Sequence, residues 1–305
     1  MNTKKNRLVA VMFFKSGNIV QSKLFKQHRI VGDPFAIIER LSIWNADEVI
    51  YLNIRPELSN INRQDKNNKY SSEFDEIIKL VGKKAFMPLT VGGGIRNLND
   101  AEKYFKMGAD KIAINSMIVE NPSNVYDCAK IYGSQSIVAS IDVKKDIKGN
   151  YEAYISSGKI KVEHQLIDYI KKIEELGAGE LLINNIDRDG TAQGYDLELL
   201  NFIQKATSLP IIFVGGVGKF DHLVEGLKKN LNAVAAGAIF QWPIGYISDR
   251  MDRRKVIITS GIFAIIFCML AILFSGTPFS NAFTQNLTKF NYFSTTLEKT
   301  KLFLS

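Results

Sequence analysis

The stretch that decides the fold is residues 91–116, "VGGGIRNLNDAEKYFKMGADKIAINS", together with residues 214–238, "VGGVGKFDHLVEGLKKNLNAVAAGA". Each runs from a strand-like end through glycines into an amphipathic helical pattern, and then into a second strand-like run. A second pair follows the same order, because "EVIYLN" (48–53) matches "ELLINN" (180–185). The second half of the chain therefore repeats the first.

Extending the repeat along residues 1–240 predicts strands that alternate with helices. A third pair, "VMFFK" (11–15) and "SIDVK" (140–144), aligns Phe13 with Asp142. The predicted strands are 8–14, 48–54, 86–92, 110–115, 136–143, 179–184, 210–215 and 232–237, and the predicted helices are 33–45, 71–83, 98–108, 121–132, 162–177, 196–207 and 219–229. A two-fold repeat of four strand–helix units closes a parallel (β/α)₈ TIM barrel, whereas a doubly wound open sheet, the alternative, would be left with mismatched edges.

Composition and charge exclude several classes of function. The 305 residues carry a net charge of +8, two distant cysteines (Cys128 and Cys268) and three scattered histidines. This pattern offers no disulfide framework and no histidine-based metal site, so we expect no metal, no cofactor and a reducing, cytoplasmic location. The basic clusters lack interleaved aromatic residues, which argues against a nucleic-acid partner. The positive balance instead fits an anionic, phosphorylated substrate.

Two glycine clusters at equivalent strand ends predict two phosphate sites. Glycines allow backbone N–H groups to approach a phosphate closely, although the alternative is that they serve only tight turns. The predicted binding residues are Gly92, Gly93, Gly94, Asn115 and Ser116 at the first site, and Asp189, Gly190, Gly215, Gly216, Gly237 and Ala238 at the second. A substrate with a phosphate at each end follows from this arrangement.

One carboxylate is placed for catalysis. Asp142 ends the fifth predicted strand among apolar residues, where partial burial would raise its pKa and suit it to general acid–base chemistry. The alternative is that Asp142 caps a turn or pairs with Lys144.

Charges of both signs open four of the predicted strands: Arg7, Glu48, Lys111 and Glu180. The starts of parallel strands meet at one end of a barrel, so these side chains are expected to form a ring. From the residues alone, a stabilising layer of ion pairs is the favoured interpretation, because that end of a TIM barrel normally serves stability.

Residues 7–240 resemble the cyclase subunit of imidazole glycerol phosphate synthase, a (β/α)₈ enzyme of histidine biosynthesis. The motifs that carry the resemblance are "VGDP" (31–34), "VGGGI" (91–95), "GADKIAIN" (108–115), "GSQSIVASID" (133–142), "GAGELL" (177–182), "IDRDGT" (186–191), "LPIIFVGG" (209–216) and "AVAAGAIF" (233–240). The resemblance implies a lyase that receives ammonia from a glutaminase partner and uses it to split and cyclise a bis-phosphorylated ribonucleotide. It also implies that the charged ring gates an ammonia channel and that Asp110 faces the glutaminase.

Three positions depart from the family pattern. The family has a catalytic Asp at the ends of the first and fifth strands; Asp142 keeps the second, but Phe13 replaces the first and cannot transfer a proton. Asn53 and Gln21 stand where the family has an Asp and a Lys. This pattern resembles paralogues found with surface-glycan genes, which implies a sugar amidotransferase as a further partner. We prefer this branch, with histidine biosynthesis as the alternative.

The sequence changes character after residue 240. Residues 241–274, with "PIGYISDRMDRRKVI" (243–257), resemble a fragment of a major facilitator transporter. The predicted domains are the barrel over 1–240, a basic loop with a transmembrane helix over 241–276, and a poorly ordered tail over 277–305. The 19 apolar residues 256–274 approach the roughly 20 that span a bilayer, so we predict a hydrophobic helix that tethers the barrel to a membrane. A buried core helix is the alternative. The family would instead supply a final barrel helix, which this chain lacks.

Overall fold

The computed structural model describes residues 7–43, 46–54, 74–229, 231 and 233–236. Its strands are β1 (Arg7–Lys15), β2 (Asn18–Lys23), β3 (Gln27–Gly32), β4 (Glu48–Asn53), β5 (Leu89–Gly92), β6 (Lys111–Ile114), β7 (Ile137–Lys145), β8 (Tyr151–Ile155), β9 (Ile160–Lys161), β10 (Glu180–Asn185), β11 (Ile211–Val214) and β12 (Ala233–Ala236). Its α-helices are α1 (Pro34–Ile43), α2 (Phe74–Lys84), α3 (Leu98–Lys106), α4 (Met117–Glu120), α5 (Pro122–Tyr132), α6 (Leu166–Glu175), α7 (Leu197–Gln204) and α8 (Phe220–Lys228). Each strand and helix predicted within residues 1–240 is present, with ends that differ by a few residues.

Eight parallel strands close into a barrel in the order β1, β4, β5, β6, β7, β10, β11 and β12. The ring is completed where β12 pairs with β1, with Ala233 opposite Arg7, and where β7 pairs with β10, with Val138 opposite Glu180. This closure confirms the predicted TIM barrel and excludes the open sheet.

The barrel strands alternate between an inner and an outer face, because successive side chains of a strand point in opposite directions. Val9 and Val11 of β1 belong to one apolar cluster inside the barrel with Leu182 of β10. Their neighbours Ala10 and Met12 belong to the cluster between the barrel and its helices. The middle of the barrel interior is therefore apolar, and its polar side chains lie at the two ends.

Two antiparallel hairpins extend the barrel at equivalent points of its two halves, and the sequence analysis did not predict them. β2 and β3 follow β1, whereas β8 and β9 follow β7. Their turns contain left-handed pairs, Leu24 and Phe25 in the first and Ser156 and Ser157 in the second. A Cβ placed on Gly158 would lie 3.3 Å from the Phe25 ring, so the two turns meet beyond the C-terminal ends of the strands.

The glycine turns after β5 and β11 show that the repeat is structural. Gly93 (φ +99°) and Gly215 (φ +113°) both have left-handed backbones. A Cβ on Gly93 would lie 2.7 Å from the backbone nitrogen of Asn53, and one on Gly215 would lie 2.8 Å from the carbonyl oxygen of Asn185. Gly93 is thus the structural counterpart of Gly215. Aligning the two Val-Gly-Gly strings would instead match Gly215 with Gly92, one residue earlier.

The predicted domains 241–276 and 277–305 lie outside the described residues, as do the hydrophobic run 256–274 and any helix after β12. In the described part of the chain, no helix is both long enough and apolar enough to cross a membrane. The boundary at residue 240 and the membrane tether therefore stay predictions.

Candidate functional site

Asp142 lies near the C-terminal end of β7. It follows Val138 by four residues on the same strand, and since Val138 lies inside the barrel, Asp142 also faces the interior. Its side chain is only 5% exposed. Asn184 Nδ2 donates to its Oδ1 at 3.0 Å, and the backbone N–H of Gly158 donates to its Oδ2 at 3.2 Å. Burial raises the pKa of Asp142 to about 7, a value suited to proton transfer near neutral pH.

The two alternative roles of Asp142, capping a turn and pairing with Lys144, do not fit this environment. Lys144 is exposed, and among the described residues no ion pair joins it to Asp142. The hydrogen bonds of Asp142 come from β10 and from the turn of the second hairpin rather than from its own turn. Asp142 is therefore an inward-facing carboxyl group at the barrel mouth.

Phe13 occupies the matching position on the opposite wall. β1 and β7 are separated by β4, β5 and β6 in one direction around the barrel, and by three strands in the other. Phe13 packs, partly buried, against the interior apolar cluster, as does Leu52 of β4. The wall that faces Asp142 thus offers an aromatic ring where a second carboxylate would be needed for a two-carboxylate mechanism.

The first predicted phosphate site joins the ends of the neighbouring strands β5 and β6. Gly92 is the last residue of β5 and is followed by Gly93 and Gly94, whereas Asn115 and Ser116 follow β6. The structure brings these residues to one side of the barrel mouth.

Asn115 and Ser116 also bind the second hairpin. Asn115 Nδ2 donates to the carbonyl of Ser140 at 2.9 Å, and its Oδ1 accepts from the N–H of Ser156 at 3.0 Å. The Ser116 and Ser156 hydroxyls lie 3.2 Å apart. The polar atoms expected at the phosphate therefore also hold the turn that covers Asp142.

The second predicted phosphate site follows β10 and β11. Gly215 and Gly216 follow β11, and Asp189 and Gly190 lie in the loop after β10. Gly237 and Ala238 lie outside the described residues. The structure therefore describes part of this second site.

The carboxylate of Asp189 fastens the first hairpin. It accepts the Ser22 hydroxyl at 2.6 Å and the N–H of Phe25 at 3.1 Å, while its carbonyl accepts from Leu24. Gly190 approaches Ser22 so closely that a Cβ would clash with the Ser22 carbonyl. Burial raises the pKa of Asp189. Sequence reasoning assigned this loop to phosphate alone and missed its role as an anchor.

Asn53 and Gln21, the other two departures, lie in β4 and β2. Asn53 ends β4 and packs its backbone against Gly93. Gln21 lies in β2 opposite Arg29 of β3.

At the opposite end of the barrel, the four predicted charges form a closed ring. Arg7 contacts Glu48 at 2.7 Å and also bonds Glu180. Lys111 Nζ lies 3.0 Å from Glu48 and 2.9 Å from Glu180. The Thr90 hydroxyl adds a bond to Glu48 at 2.9 Å. Each carboxylate thus lies between two cations, and both are almost fully buried.

Asp110 lies beside the ring, at the start of β6. Its Oδ2 accepts the N–H of Leu89 at 2.8 Å, and its own N–H donates to the Leu89 carbonyl at 2.8 Å. This exposed residue therefore joins the starts of two neighbouring strands on the ring side of the barrel.

Two residues near Asp142 were not predicted as site residues. Ser140 and Asn184 face the interior from β7 and β10, and their side chains bond each other at 3.0 Å. The sequence did carry a signal, because Asn184 and Asn185 are polar residues at the end of an apolar strand. In the described part of the chain, no cluster of three or more His, Cys, Asp or Glu side chains is arranged to hold a metal.

The family described as "Histidine biosynthesis protein" matches residues 7–242 of this chain. The chain belongs to the HisF family. It is 38% identical over 225 residues to imidazole glycerol phosphate synthase subunit HisF of Dictyoglomus thermophilum, covering 74% of this chain and 85% of that protein. It is 35% identical over 263 residues to the HisF subunit of Wolinella succinogenes, covering 86% of this chain and 98% of that protein. The HisF subunit of Alkaliphilus metalliredigens is 34% identical over 237 residues, or 77% and 90% of the two chains.

Membership in the HisF family confirms the resemblance expected for residues 7–240. The matched range spans both the charged ring at one end of the barrel and the Asp142 site at the other. The resemblances to glycan-associated paralogues and to a transporter fragment stay predictions.

Proposed function

We propose that this HisF-family barrel is the ammonia-accepting subunit of a glutamine amidotransferase. A glutaminase subunit docks at the ring end near Asp110, and a phosphorylated substrate binds at the mouth near Asp142. The observation that carries the proposal is the closed ring of Arg7, Glu48, Lys111 and Glu180 at one end of an apolar barrel interior, with a buried carboxyl at the other.

The ring has the properties of a gate for a small neutral molecule. Its salt bridges close the ring end of the barrel, and the interior beyond it is lined by apolar side chains such as Val9, Val11 and Leu182. Ammonia crosses such a lining far more easily than an ion does, because an ion would have to lose its hydration. The two cations, Arg7 and Lys111, are partly exposed, whereas both carboxylates are buried, so a docked partner reaches the ring through its cations.

Phe13 favours a variant of the family reaction. Asp142 retains one acid–base group, but the opposite wall carries no proton-transferring side chain at position 13. We propose that the barrel delivers ammonia to a sugar amidotransferase that modifies a surface glycan. The alternative is imidazole glycerol phosphate synthase activity in histidine biosynthesis, which the names of the relatives and the retained Asp142 favour.

The deciding experiment is ammonium-dependent turnover of the bis-phosphorylated ribonucleotide, with substrate binding measured by calorimetry on the same sample. Binding without turnover is the result we expect, and it would support delivery of ammonia to another enzyme. Turnover at rates typical of enzymes, about 1–10³ s⁻¹, would assign the protein to histidine biosynthesis instead. Absence of both binding and glutaminase docking would contradict the proposal as a whole.

A further inference from the structure

One strand connects both ends of the barrel interior. Glu180, Leu182 and Asn184 alternate along the inner face of β10, so the strand supplies in turn a ring carboxylate, an apolar wall and an amide. At about 3.3 Å per residue, Asn184 lies roughly 13 Å beyond Glu180. Asn184 is therefore the polar group that a molecule following β10 from the ring reaches after the apolar section.

Asn184 is tied to two polar groups of β7 through its Nδ2 alone. That atom donates to the Ser140 hydroxyl at 3.0 Å and to Asp142 Oδ1 at 3.0 Å. These bonds occupy both amide hydrogens and fix the side-chain orientation. All three residues are at most 6% exposed.

The amide oxygen of Asn184 has no hydrogen-bond partner in the described part of the chain. Its Oδ1 is buried and accepts no hydrogen bond from any residue that the structure describes. A buried acceptor left unpaired costs about 1–3 kcal/mol, so native proteins rarely keep one without a ligand or an ordered molecule beside it. The Tyr169 hydroxyl is also unpaired, but Tyr169 belongs to the outer apolar cluster and not to the barrel interior.

We infer that Ser140, Asp142 and Asn184 form a binding site for ammonia at the end of its path through the barrel. The inference rests on the proposed function. Ammonia offers N–H donors to Asn184 Oδ1 and to the Asp142 carboxylate, and its lone pair accepts the Ser140 O–H. Binding involves no covalent step. The site would hold ammonia next to the mouth, where the acceptor molecule arrives.

The test follows the carboxyl carbon of Asp142 by NMR in the full chain labelled with ¹³C-aspartate, with its signal assigned from Asp142→Asn. The probe is ammonium chloride at a mildly alkaline pH, against potassium chloride at equal ionic strength. Potassium matches the charge of ammonium but has no N–H donors. We expect a saturable shift with ammonium and none with potassium.

Variants separate the site from general effects on the fold. Asn184→Leu, close in size to Asn, should raise the half-saturating ammonium concentration at least tenfold, and Ser140→Ala should raise it several-fold. Asp127→Asn, which removes an exposed carboxylate on α5, should leave it unchanged. If Asn184→Leu does not fold, Asn184→Ser removes the same acceptor with a smaller change and should show the same loss.

Two results would overturn the inference: an equal response to potassium, or an ammonium response that Asn184→Leu and Asn184→Ser both retain. Absence of any ammonium response would mean that the site holds water only, and would also overturn it. The proposed function is judged separately by glutaminase docking. A chain that docks the glutaminase but does not bind ammonium at Asn184 would contradict this site and leave the proposed function standing.

Discussion

At the scale of single residues, Asp142 combines deep burial with few compensating charges. One amide and one backbone N–H bond its carboxyl group, and burial outweighs both in setting its pKa. Phe13, on the opposite wall, adds apolar surface rather than a second acid–base group. The nearby carboxyl group of Asp189, in the loop after β10, also raises the pKa of Asp142, so Asp142 is the protonatable group on the barrel wall itself.

The pH dependence of stability should report this burial. Asp142 has a pKa of 3.8 as an ordinary Asp and of about 7 in the folded protein. Between these values the folded state binds the extra proton, so this contribution is greatest at low pH and is lost as the pH rises toward 7. Relative to wild type, Asp142→Asn should gain up to about 4 kcal/mol in unfolding free energy between about pH 4 and pH 7.5.

Urea unfolding at a series of pH values measures the difference. Asp127→Asn, which removes an exposed carboxylate on α5, serves as the control and should track wild type. Parallel curves for wild type and Asp142→Asn would show that the Asp142 pKa is not raised.

Phe13→Asp should restore a missing acid–base group. A positioned proton donor or acceptor contributes about 10²–10⁴-fold to a rate, so we expect ammonium-dependent turnover of the bis-phosphorylated ribonucleotide to rise by at least 10²-fold. Phe13→Asn is the matched control, since it has the same shape as the Asp variant but cannot transfer a proton. Equal rates in the two variants would show that position 13 does not limit the chemistry.

At the scale of elements, the two hairpins are held by residues of the opposite half of the repeat. Asp189, after β10, anchors the turn between β2 and β3. Asn115, after β6, anchors the turn between β8 and β9. Each hairpin turn is therefore coupled to a loop that we assign to phosphate binding.

Asp189→Ala should loosen the first hairpin. The variant loses the bonds to Ser22 and Phe25, which are worth about 1.5–3 kcal/mol each when the acceptor is charged. We expect hydrogen exchange of the Phe25 amide to become at least tenfold faster. Asp187→Ala, in the same loop, loses a hydrogen bond to the Lys145 amide and should leave the exchange rate of the Phe25 amide unchanged. Equal exchange at Phe25 in wild type and Asp189→Ala would show that the anchor does not limit opening.

At the scale of the whole molecule, the barrel separates two polar ends by an apolar interior. The ring joins β1, β4, β6 and β10 at one end, and three of its four salt bridges hold non-adjacent strands together. Ser140, Asp142 and Asn184 lie at the other end. Because the two ends are separate, a mutation in the ring can be studied without changing the side chains around Asp142.

Lys111→Met should lower the free energy of unfolding and change the proposed gating of ammonia. Among the residues that the structure describes, it leaves the buried Glu48 and Glu180 with Arg7 as their one cation, and breaking a buried ion pair costs about 3–5 kcal/mol. Urea unfolding measures this loss, and Lys106→Met, which breaks an exposed pair with Glu102, should cost under about 1 kcal/mol. In the glutaminase complex, Lys111→Met should also alter glutamine-driven but not ammonium-driven product formation. A loss no larger than that of Lys106→Met would contradict the ring's stabilising role.

The sequence was sufficient for the barrel and for several of its polar positions. The repeat identified both halves of the fold, and charges at strand starts and Asp142 at a strand end identified residues at both ends of the barrel. These features are readable because each depends on position within one strand–helix unit, which local periodicity reveals.

The contacts that complete the site depend on barrel closure. Asp189 reaches Ser22 across 167 positions of sequence, and Asn184 reaches Asp142 across 42. Local periodicity carries no information on such pairs, because they exist only after β12 pairs with β1 and β7 pairs with β10. The residue types and their strand positions can thus be read along the chain, whereas the hairpin anchors and the unpaired Asn184 acceptor arise when ring closure brings distant strand ends within hydrogen-bonding distance.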